Sequence, residues 1–271
     1  MKPLSLSCLV PWIAFVGLAC SEQQPSDADT DAAADLCPAV VFSPPSGAEA
    51  AATEGARQRY AGSLSQLEAL RLDLGRRYRE AAAGNDGEVR AELIGEARRA
   101  ILKSLVEDVF PAWYGTPWDF NGISQTPGEG QIACGYFVTT TLRDAGFDLP
   151  RVKLAQQASQ TIITSLTGRE SISISAGKPI KEIEAQVRES GAGLYIVGLD
   201  SHVGFIVNDG RSLAFVHSSY YSPPRAVVAE TTDSNNPLAQ SNYRVVGKVL
   251  DDIMVKKWIR GEAFQLGERK R

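Results

Sequence analysis

Histidine is scarce in this chain, with two residues among 271, and the four cysteines form no Cys-x-x-Cys pair. No His-x-x-x-His spacing occurs either. Protein zinc sites draw their ligands from closely spaced cysteines and histidines, so these absences argue against a metal centre. We predict neither a metal nor another cofactor for this chain.

A basic surface is also missing. The net charge is −4 and the isoelectric point is near 5.4, and no run of Lys and Arg is interleaved with aromatic residues. Proteins that bind nucleic acids usually carry a basic face. The composition therefore argues against DNA or RNA as a partner.

The apolar run over residues 4–18 is too short for an ordinary membrane span. It follows Lys2 and ends in Val16-Gly-Leu-Ala-Cys20-Ser, which resembles a bacterial lipobox. We therefore predict that residues 1–19 are a lipoprotein signal peptide and that Cys20 carries the lipid. Ser21 resembles the signal that sorts a lipoprotein to the outer membrane, so we expect an anchor on its periplasmic face. Simple secretion with cleavage nearby is the alternative.

Two cysteines, Cys37 and Cys134, remain if Cys8 leaves with the signal and Cys20 is lipidated. A disulfide between them is possible in an oxidising compartment, and it would remove Cys134 as a nucleophile. Residues 20–55 are rich in Ala, Asp, Ser and Pro, which is typical of a disordered tether. A cysteine in such a segment favours the other interpretation, in which Cys134 is a free, working thiol.

Residues 56–110 predict a helical hairpin that extends a catalytic domain at residues 111–271. Two apolar stripes at three- to four-residue spacing are separated by a turn at residues 84–87, and Pro111 ends the second stripe. The stripes comprise Leu64, Leu67, Leu70, Leu74 and Tyr78, then Leu93, Ala97, Ile101, Leu105 and Val109. We interpret the hairpin as a packing element; a wall of the substrate cleft or a partner surface is the alternative.

The rest of the pattern predicts an α+β fold. A helical pattern runs from Cys134 to Gly146, and a second, short helix is expected at residues 179–190. The β-rich runs are 194–197, 203–207, 213–216 and 243–250, the second and third being joined by Asn208-Asp-Gly210. We expect the cysteine helix to pack on an antiparallel sheet that carries both histidines. The helix start should favour a Cys134 thiolate.

Five motifs occur in one order along residues 113–220. They are Gly115-Thr-Pro-Trp118, Ala133-Cys-Gly-Tyr-Phe-Val138, Ala145-Gly-Phe-Asp-Leu-Pro-Arg151, His202-Val-Gly-Phe-Ile206 and His217-Ser. This order resembles the NlpC-type cell-wall peptidases, papain-like cysteine enzymes that cut peptidoglycan stem peptides. The resemblance implies a papain-like fold with Cys134 as nucleophile, His202 as general base and His217 as the residue that orients His202. Asp200, Ser201 and Asn208 are alternative orienting residues.

The resemblance also implies a substrate-binding set, comprising Trp118, Asp119, Gly135 and Tyr136. Several of these positions depart from the family. Ala133 and Gly135 stand where the family has an Asp and a Ser that recognise a free substrate amine, and Trp118 stands in place of a Tyr. Asp119 or Glu129 could supply the missing charge from the preceding loop.

The function expected from this resemblance is a secreted, lipid-anchored cysteine peptidase or amidase. It would hydrolyse peptide bonds of peptidoglycan stem peptides through a thioester on Cys134. One alternative keeps the Cys–His pair but directs it at another substrate, as an amidase, acyltransferase or transglutaminase-like enzyme. The other is a non-catalytic, murein-binding lipoprotein with a degenerate peptidase fold.

Overall fold

The computed structural model describes residues 47–221 and 225–266. The predicted signal peptide, the lipidation site Cys20, and Cys37 lie outside the described residues. The first helix begins at Gly47, which puts the last residues of the predicted tether in a helix. Alanine and glutamate dominate these residues, and both favour helix. Within the described ranges, no helix is both long and apolar enough to cross a membrane.

Two long helices, α1 (Gly47–Ala83) and α2 (Gly87–Ser104), form the expected hairpin. Asp86 caps α2, because its carboxylate accepts a hydrogen bond from the Val89 amide at 3.0 Å. Asn85 has a φ of 54° and allows the chain to reverse in the three residues between the helices. The predicted helices and turn are confirmed.

The prediction that the second helix ends before Pro111 is wrong. A π-helical turn (Leu105–Val109) follows α2 and leads directly into α3 (Phe110–Trp113). Pro111 lies in the first turn of α3, where a missing amide hydrogen costs little. The wider π turn therefore carries a continuous helical path past the proline and into the buried Trp113.

Six antiparallel strands form one sheet in the order β1-β6-β2-β3-β4-β5. They are β1 (Ile172–Ala176), β2 (Gly193–Leu199), β3 (Val203–Asn208), β4 (Leu213–Ser218), β5 (Val227–Thr231) and β6 (Tyr243–Lys248). The α+β class is confirmed. The strands β1 and β5, at the two edges of the sheet, had no counterpart among the predicted runs.

Helices cover both faces of the sheet. Besides α1 to α3 they are α4 (Cys134–Asp144), α5 (Arg151–Ala155), α6 (Ser159–Leu166), α7 (Ile180–Glu189), α8 (Pro237–Gln240) and α9 (Asp252–Arg260). The helix α4 packs on β3 and β4 through Phe137, which lies against Phe205 with ring centroids 6.0 Å apart. On the other face, Ile183 and Val187 of α7 pack against a second apolar cluster that includes Phe215.

The hairpin belongs to the main core. Leu74 of α1, Leu93 of α2, Phe137 of α4 and Trp258 of α9 are members of one buried cluster. A hydrogen bond of 2.5 Å from the Tyr60 hydroxyl to the Asp144 carboxylate also joins α1 to the end of α4. These contacts favour the interpretation of the hairpin as a packing element.

A pair of leucines on α1 tests this interpretation. Leu74 is fully buried, whereas Leu72 is 59% exposed on the same helix. We expect Leu74→Ala to lower the free energy of unfolding by about 2–5 kcal/mol, because it leaves a cavity in the core. Leu72→Ala should change it by less than about 0.5 kcal/mol. Urea titration would measure both values, and equal effects would contradict a shared core.

Candidate active site

Cys134 is the first residue of α4, and the chain before it is held on three sides. The Ile132 amide donates to the Pro117 carbonyl and the Ala133 amide to the Gly122 carbonyl, both at 2.9 Å. The Ser218 hydroxyl, at the end of β4, donates to the Ile132 carbonyl at 2.7 Å. The cysteine is therefore positioned by its own loop and by a sheet strand.

The thiol of Cys134 is free, and the residue is partly buried. Burial raises the pKa of this thiol, while hydrogen bonds from the backbone amides of Val203, Gly135 and Cys134 itself act in the opposite direction. Desolvation is the largest of these effects. It outweighs the helix start that was expected to favour a thiolate, so the resting cysteine is a neutral thiol.

His202 lies at the end of a tight turn between β2 and β3, closed by a hydrogen bond of 2.8 Å from the Leu199 amide to the His202 carbonyl. The Asp200 carboxylate anchors this turn to the first residue of β6 and the two residues before it. It accepts hydrogen bonds from the Ser241 hydroxyl and the Asn242 amide, each at 2.8 Å, and from the Tyr243 amide at 3.1 Å. The imidazole is thus fixed by a short, braced turn.

The two histidines are hydrogen-bonded to each other. His202 Nε2 and His217 Nδ1 are 2.8 Å apart, and the rings lie nearly perpendicular at 83°. His202 Nδ1 is buried and has no hydrogen-bond partner among the described residues. The ring is thus held through one nitrogen, and the other has no partner among these residues.

His217 is fully buried and stacks on Phe215, with ring centroids 4.0 Å apart. Gly204 makes room for it, because a Cβ at that position would lie 2.7 Å from the Phe215 ring and 2.8 Å from His217 Cβ. The glycine of the His-Val-Gly motif therefore has a steric role. Any larger residue would push the second histidine away from the first.

Glu230, on β5, is a member of this group that the sequence patterns did not reveal. Its Oε2 lies 3.0 Å from His217 Nε2. The only signal was a glutamate inside the otherwise apolar run Val227-Val-Ala-Glu230, which was not assigned to a strand. The described structure therefore contains a hydrogen-bonded chain of three side chains, His202, His217 and Glu230.

The alternative orienting residues bind elsewhere. Asp200 braces the turn, and the Asn208 side-chain amide donates to the carbonyls of Val187 and Gly191 at 3.1 and 2.9 Å. The Ser201 hydroxyl lies 3.4 Å from the Tyr220 hydroxyl. The contact that orients the His202 ring through Nε2 is therefore the one with His217.

Burial controls the protonation of the three hydrogen-bonded side chains. It lowers the pKa of His217 to about 3 and holds the pKa of His202 well below its usual value, with His217 adding to the effect at His202. Burial also raises the pKa of Glu230, and a hydrogen bond from Asn236 opposes this. Both imidazoles are therefore neutral at neutral pH.

Cys134 and His202 line the same open cavity, whose volume is about 330 Å³. The opposite wall comes from the start of α6 and contributes neutral polar side chains, namely Gln157, Ser159 and Gln160. Asp200 is the charged side chain of this lining. A thiol-bearing and an imidazole-bearing residue therefore line one cavity, whose other polar side chains are mostly neutral.

The four predicted substrate-binding residues separate in the structure. Gly135 lines the cavity, whereas Trp118, Asp119 and Tyr136 are not part of its lining. Trp118 packs against Tyr220 at 5.7 Å between ring centroids, and Tyr220 in turn lies 5.1 Å from the His202 ring.

The other two predicted residues have local partners. The Asp119 carboxylate accepts a hydrogen bond from the Asn121 amide at 2.8 Å. The Tyr136 hydroxyl accepts one from the Gln156 side chain at 3.3 Å, and Arg151 lies over the Tyr136 ring. These contacts stabilise the loop and the helix surface beside the cavity.

The lack of a side chain at Gly135 has a packing reason. A Cβ at this position would lie far inside van der Waals contact with the Ala155 carbonyl oxygen, which belongs to α5. Backbone cannot move aside as the end of a flexible side chain can. The serine of the resembled family would therefore not fit beside Cys134 without a shift of α5.

No group of three or more His, Cys, Asp and Glu side chains within the described ranges is arranged to hold a metal ion. Comparison of the chain with protein-family models, with curated proteins and with solved structures produced no match.

Replacing Gly135 tests the packing explanation. We expect Gly135→Ser to lower the free energy of unfolding by about 1–3 kcal/mol, because the added atoms collide with backbone. Gly62→Ala is the matched control, since nothing lies within 4 Å of a Cβ there and the residue is inside α1. That change should raise the free energy of unfolding by about 0.5–1 kcal/mol. A fully stable Gly135→Ser variant would refute the explanation.

The buried histidines predict an acid-sensitive fold. The unfolded chain takes up protons below about pH 6.5, whereas the folded chain, with its lowered histidine pKa values, does not. Stability is therefore complete above that pH and falls as the pH drops. Between pH 7 and 5.5 we expect a loss of about 1 kcal/mol for each histidine, partly offset by Glu230, whose raised pKa acts in the opposite direction.

Urea titrations at pH 7 and 5.5 would measure this loss. His217→Gln should lose less stability than the wild type over the same interval, by about 1 kcal/mol, because one depressed group is gone. An identical loss in both proteins would show that His217 is not held neutral by the fold.

Proposed function

We propose that this protein is a cysteine peptidase or amidase that hydrolyses peptide bonds of peptidoglycan stem peptides. The observation that carries the proposal is the buried, unpartnered Nδ1 of His202, a residue that lines the same cavity as Cys134. A base with a free lone pair and a second nitrogen held by a neighbour is the arrangement that nucleophilic catalysis requires.

The first half of the reaction forms an acyl-enzyme. His202 Nδ1 removes the Cys134 proton as the sulfur attacks the scissile carbonyl, and the thiolate therefore appears only with substrate present. The amides at the start of α4 stabilise the oxyanion, since those of Cys134 and Gly135 already approach the sulfur. The proton on His202 then passes to the leaving amine, and the C–N bond breaks to leave a thioester.

The second half regenerates the enzyme. A water molecule gives a proton to His202 Nδ1 and attacks the thioester carbonyl. The C–S bond breaks, the carboxylic acid leaves, and the proton on His202 returns to the Cys134 sulfur. No other reactant is needed.

The choice of stem peptides rests on the motif resemblance to NlpC-type peptidases. A cysteine helix packed on an antiparallel sheet, with histidines at the start of β3 and near the end of β4, supports a papain-like fold of that type. The mostly neutral, polar lining of the cavity suits a peptide backbone, which both donates and accepts hydrogen bonds. A lipid anchor at Cys20 on the outer membrane would hold the enzyme beside its substrate.

The test is turnover of purified muropeptides, followed by mass spectrometry for new amine and carboxyl ends. Wild type should cleave one peptide bond, and Cys134→Ala and His202→Ala should each lose at least about a thousandfold in rate. Cys37→Ser is the matched control, because it removes the other free thiol expected in the mature chain; it should retain full activity. A thiol-reactive probe should label Cys37→Ser but not its double variant with Cys134→Ala.

Three results would overturn or redirect the proposal. Equal cleavage by Cys134→Ala would exclude covalent catalysis at this residue. Binding to sacculi without turnover by the wild type would indicate the non-catalytic, murein-binding alternative. Probe labelling that depends on His202, with no muropeptide cleaved, would indicate an amidase or acyltransferase with another substrate.

A further inference from the structure

The hydrogen-bonded chain from His202 through His217 to Glu230 has a direction. Each of its two links joins a pair of atoms with a single proton between them, at 2.8 Å between the rings and 3.0 Å at the carboxylate. A neutral imidazole carries a proton on one nitrogen and a lone pair on the other. The direction of one link therefore determines the direction of the next.

Two arrangements satisfy both links. In the first, Glu230 is ionised and accepts from His217 Nε2–H, so His217 Nδ1 must accept from His202 Nε2–H, and His202 Nδ1 keeps a lone pair. In the second, every proton is reversed: a protonated Glu230 donates to His217, which donates to His202. His202 Nδ1 then carries a hydrogen and cannot act as a base.

We propose that the Glu230 carboxylate selects the first arrangement and so sets the tautomers of both histidines. Glu230 is a positioning residue, acting on His202 through His217. An ionised carboxylate only accepts hydrogen bonds, so it forces His217 Nε2 to be the donor. The catalytic consequence rests on the proposed function, whereas the tautomers are properties of the resting protein.

The surroundings of His202 favour the same arrangement. In the second arrangement, His202 Nδ1 would carry a buried hydrogen, and the described residues offer it no acceptor. An orphaned, buried N–H group is costly and rare in folded proteins. In the first arrangement Nδ1 carries a lone pair instead of a hydrogen. Burying an unpaired acceptor costs less free energy than burying an unpaired N–H group, and a lone pair is what a base needs.

Packing keeps the chain from rearranging. Phe215 stacks on one face of His217, which is fully buried, and the backbone of Gly204 lies close beside it. Burial raises the pKa of Glu230, and Asn236 acts against this effect, in favour of the ionised form. When His202 Nδ1 takes the thiol proton, its Nε2–H still donates to His217, and the carboxylate lies two links from the new positive charge.

Nitrogen NMR on the untagged full chain tests the proposal, because the chain contains only these two histidines. With ¹⁵N-labelled histidine at neutral pH, both rings of the wild type should carry their proton on Nε2, with Nδ1 unprotonated. His217→Gln leaves one ring and assigns the signals. A wild-type spectrum with the proton on His202 Nδ1 would overturn the proposal, whether or not any variant folds.

Glu230→Gln should allow both tautomers of each histidine, since a glutamine amide can either donate a hydrogen bond to His217 or accept one from it. We expect a mixture at both rings and a kcat reduced by about 10- to 100-fold at an unchanged KM. Glu184→Gln is the matched control: Glu184 is buried, but its partners are the Thr232 hydroxyl and the Lys181 ammonium group, and neither is a histidine. That control should keep the wild-type tautomers, and unchanged tautomers in Glu230→Gln would refute the proposal.

The two proposals fail separately. Wild-type protein with both protons on Nε2 but no cleavage of muropeptides would reject the proposed substrate and keep the role of Glu230. Cleavage by a wild type whose His202 carries its proton on Nδ1 would keep the enzyme and reject the role of Glu230.

Discussion

The register of β3, β4 and β5 is the constraint on which the candidate site depends. Phe205 of β3 pairs with Val216 of β4, and Phe215 of β4 pairs with Glu230 of β5. Side chains alternate across a strand, so this register puts Phe215, His217 and Glu230 on one face of the sheet. A slip of one residue in β5 would turn Glu230 to the opposite face and break its contact with His217. The hydrogen-bonded chain exists because apolar residues on both faces specify that register.

The electrostatics of the site follow from the same burial. A thiol with a raised pKa and two imidazoles with lowered pKa values keep the proton on sulfur in the resting protein. A preformed thiolate–imidazolium pair would require two charges shielded from solvent, which desolvation disfavours. The same site is sensitive to acid, because protons bind to the unfolded histidines before they bind to the folded ones.

Local signals in the sequence were sufficient for the parts of the fold that depend on near neighbours. The stripes of α1 and α2, the helix start at Cys134 and the Asn208-Asp-Gly210 turn all lie within short windows, and the structure has each of them. The continuation of the helix past Pro111 could not be predicted from local sequence, because a π turn depends on the residues that pack around it. Tertiary contacts, not local propensity, determine that segment.

Glu230 shows the same limit at the candidate site. The edge strand β5 is short, and its role depends on pairing with β4 across a connection of eight residues. Nothing in the spacing of Cys134, His202 and His217 indicates a fourth residue. A glutamate in an apolar run is ambiguous until the opposite strand is known, since it could face solvent or a buried partner. The order of motifs therefore located the histidines, while their shared carboxylate required the sheet.

The departures from the resembled family have a different meaning once α5 is considered. Compared only with the serine of the resembled family, Gly135 would indicate that a substrate-binding side chain has been lost. The Ala155 carbonyl occupies the space that a side chain would need, so glycine is the residue that this backbone requires. A glycine beside Cys134 is thus explained by packing against α5, whatever the substrate is.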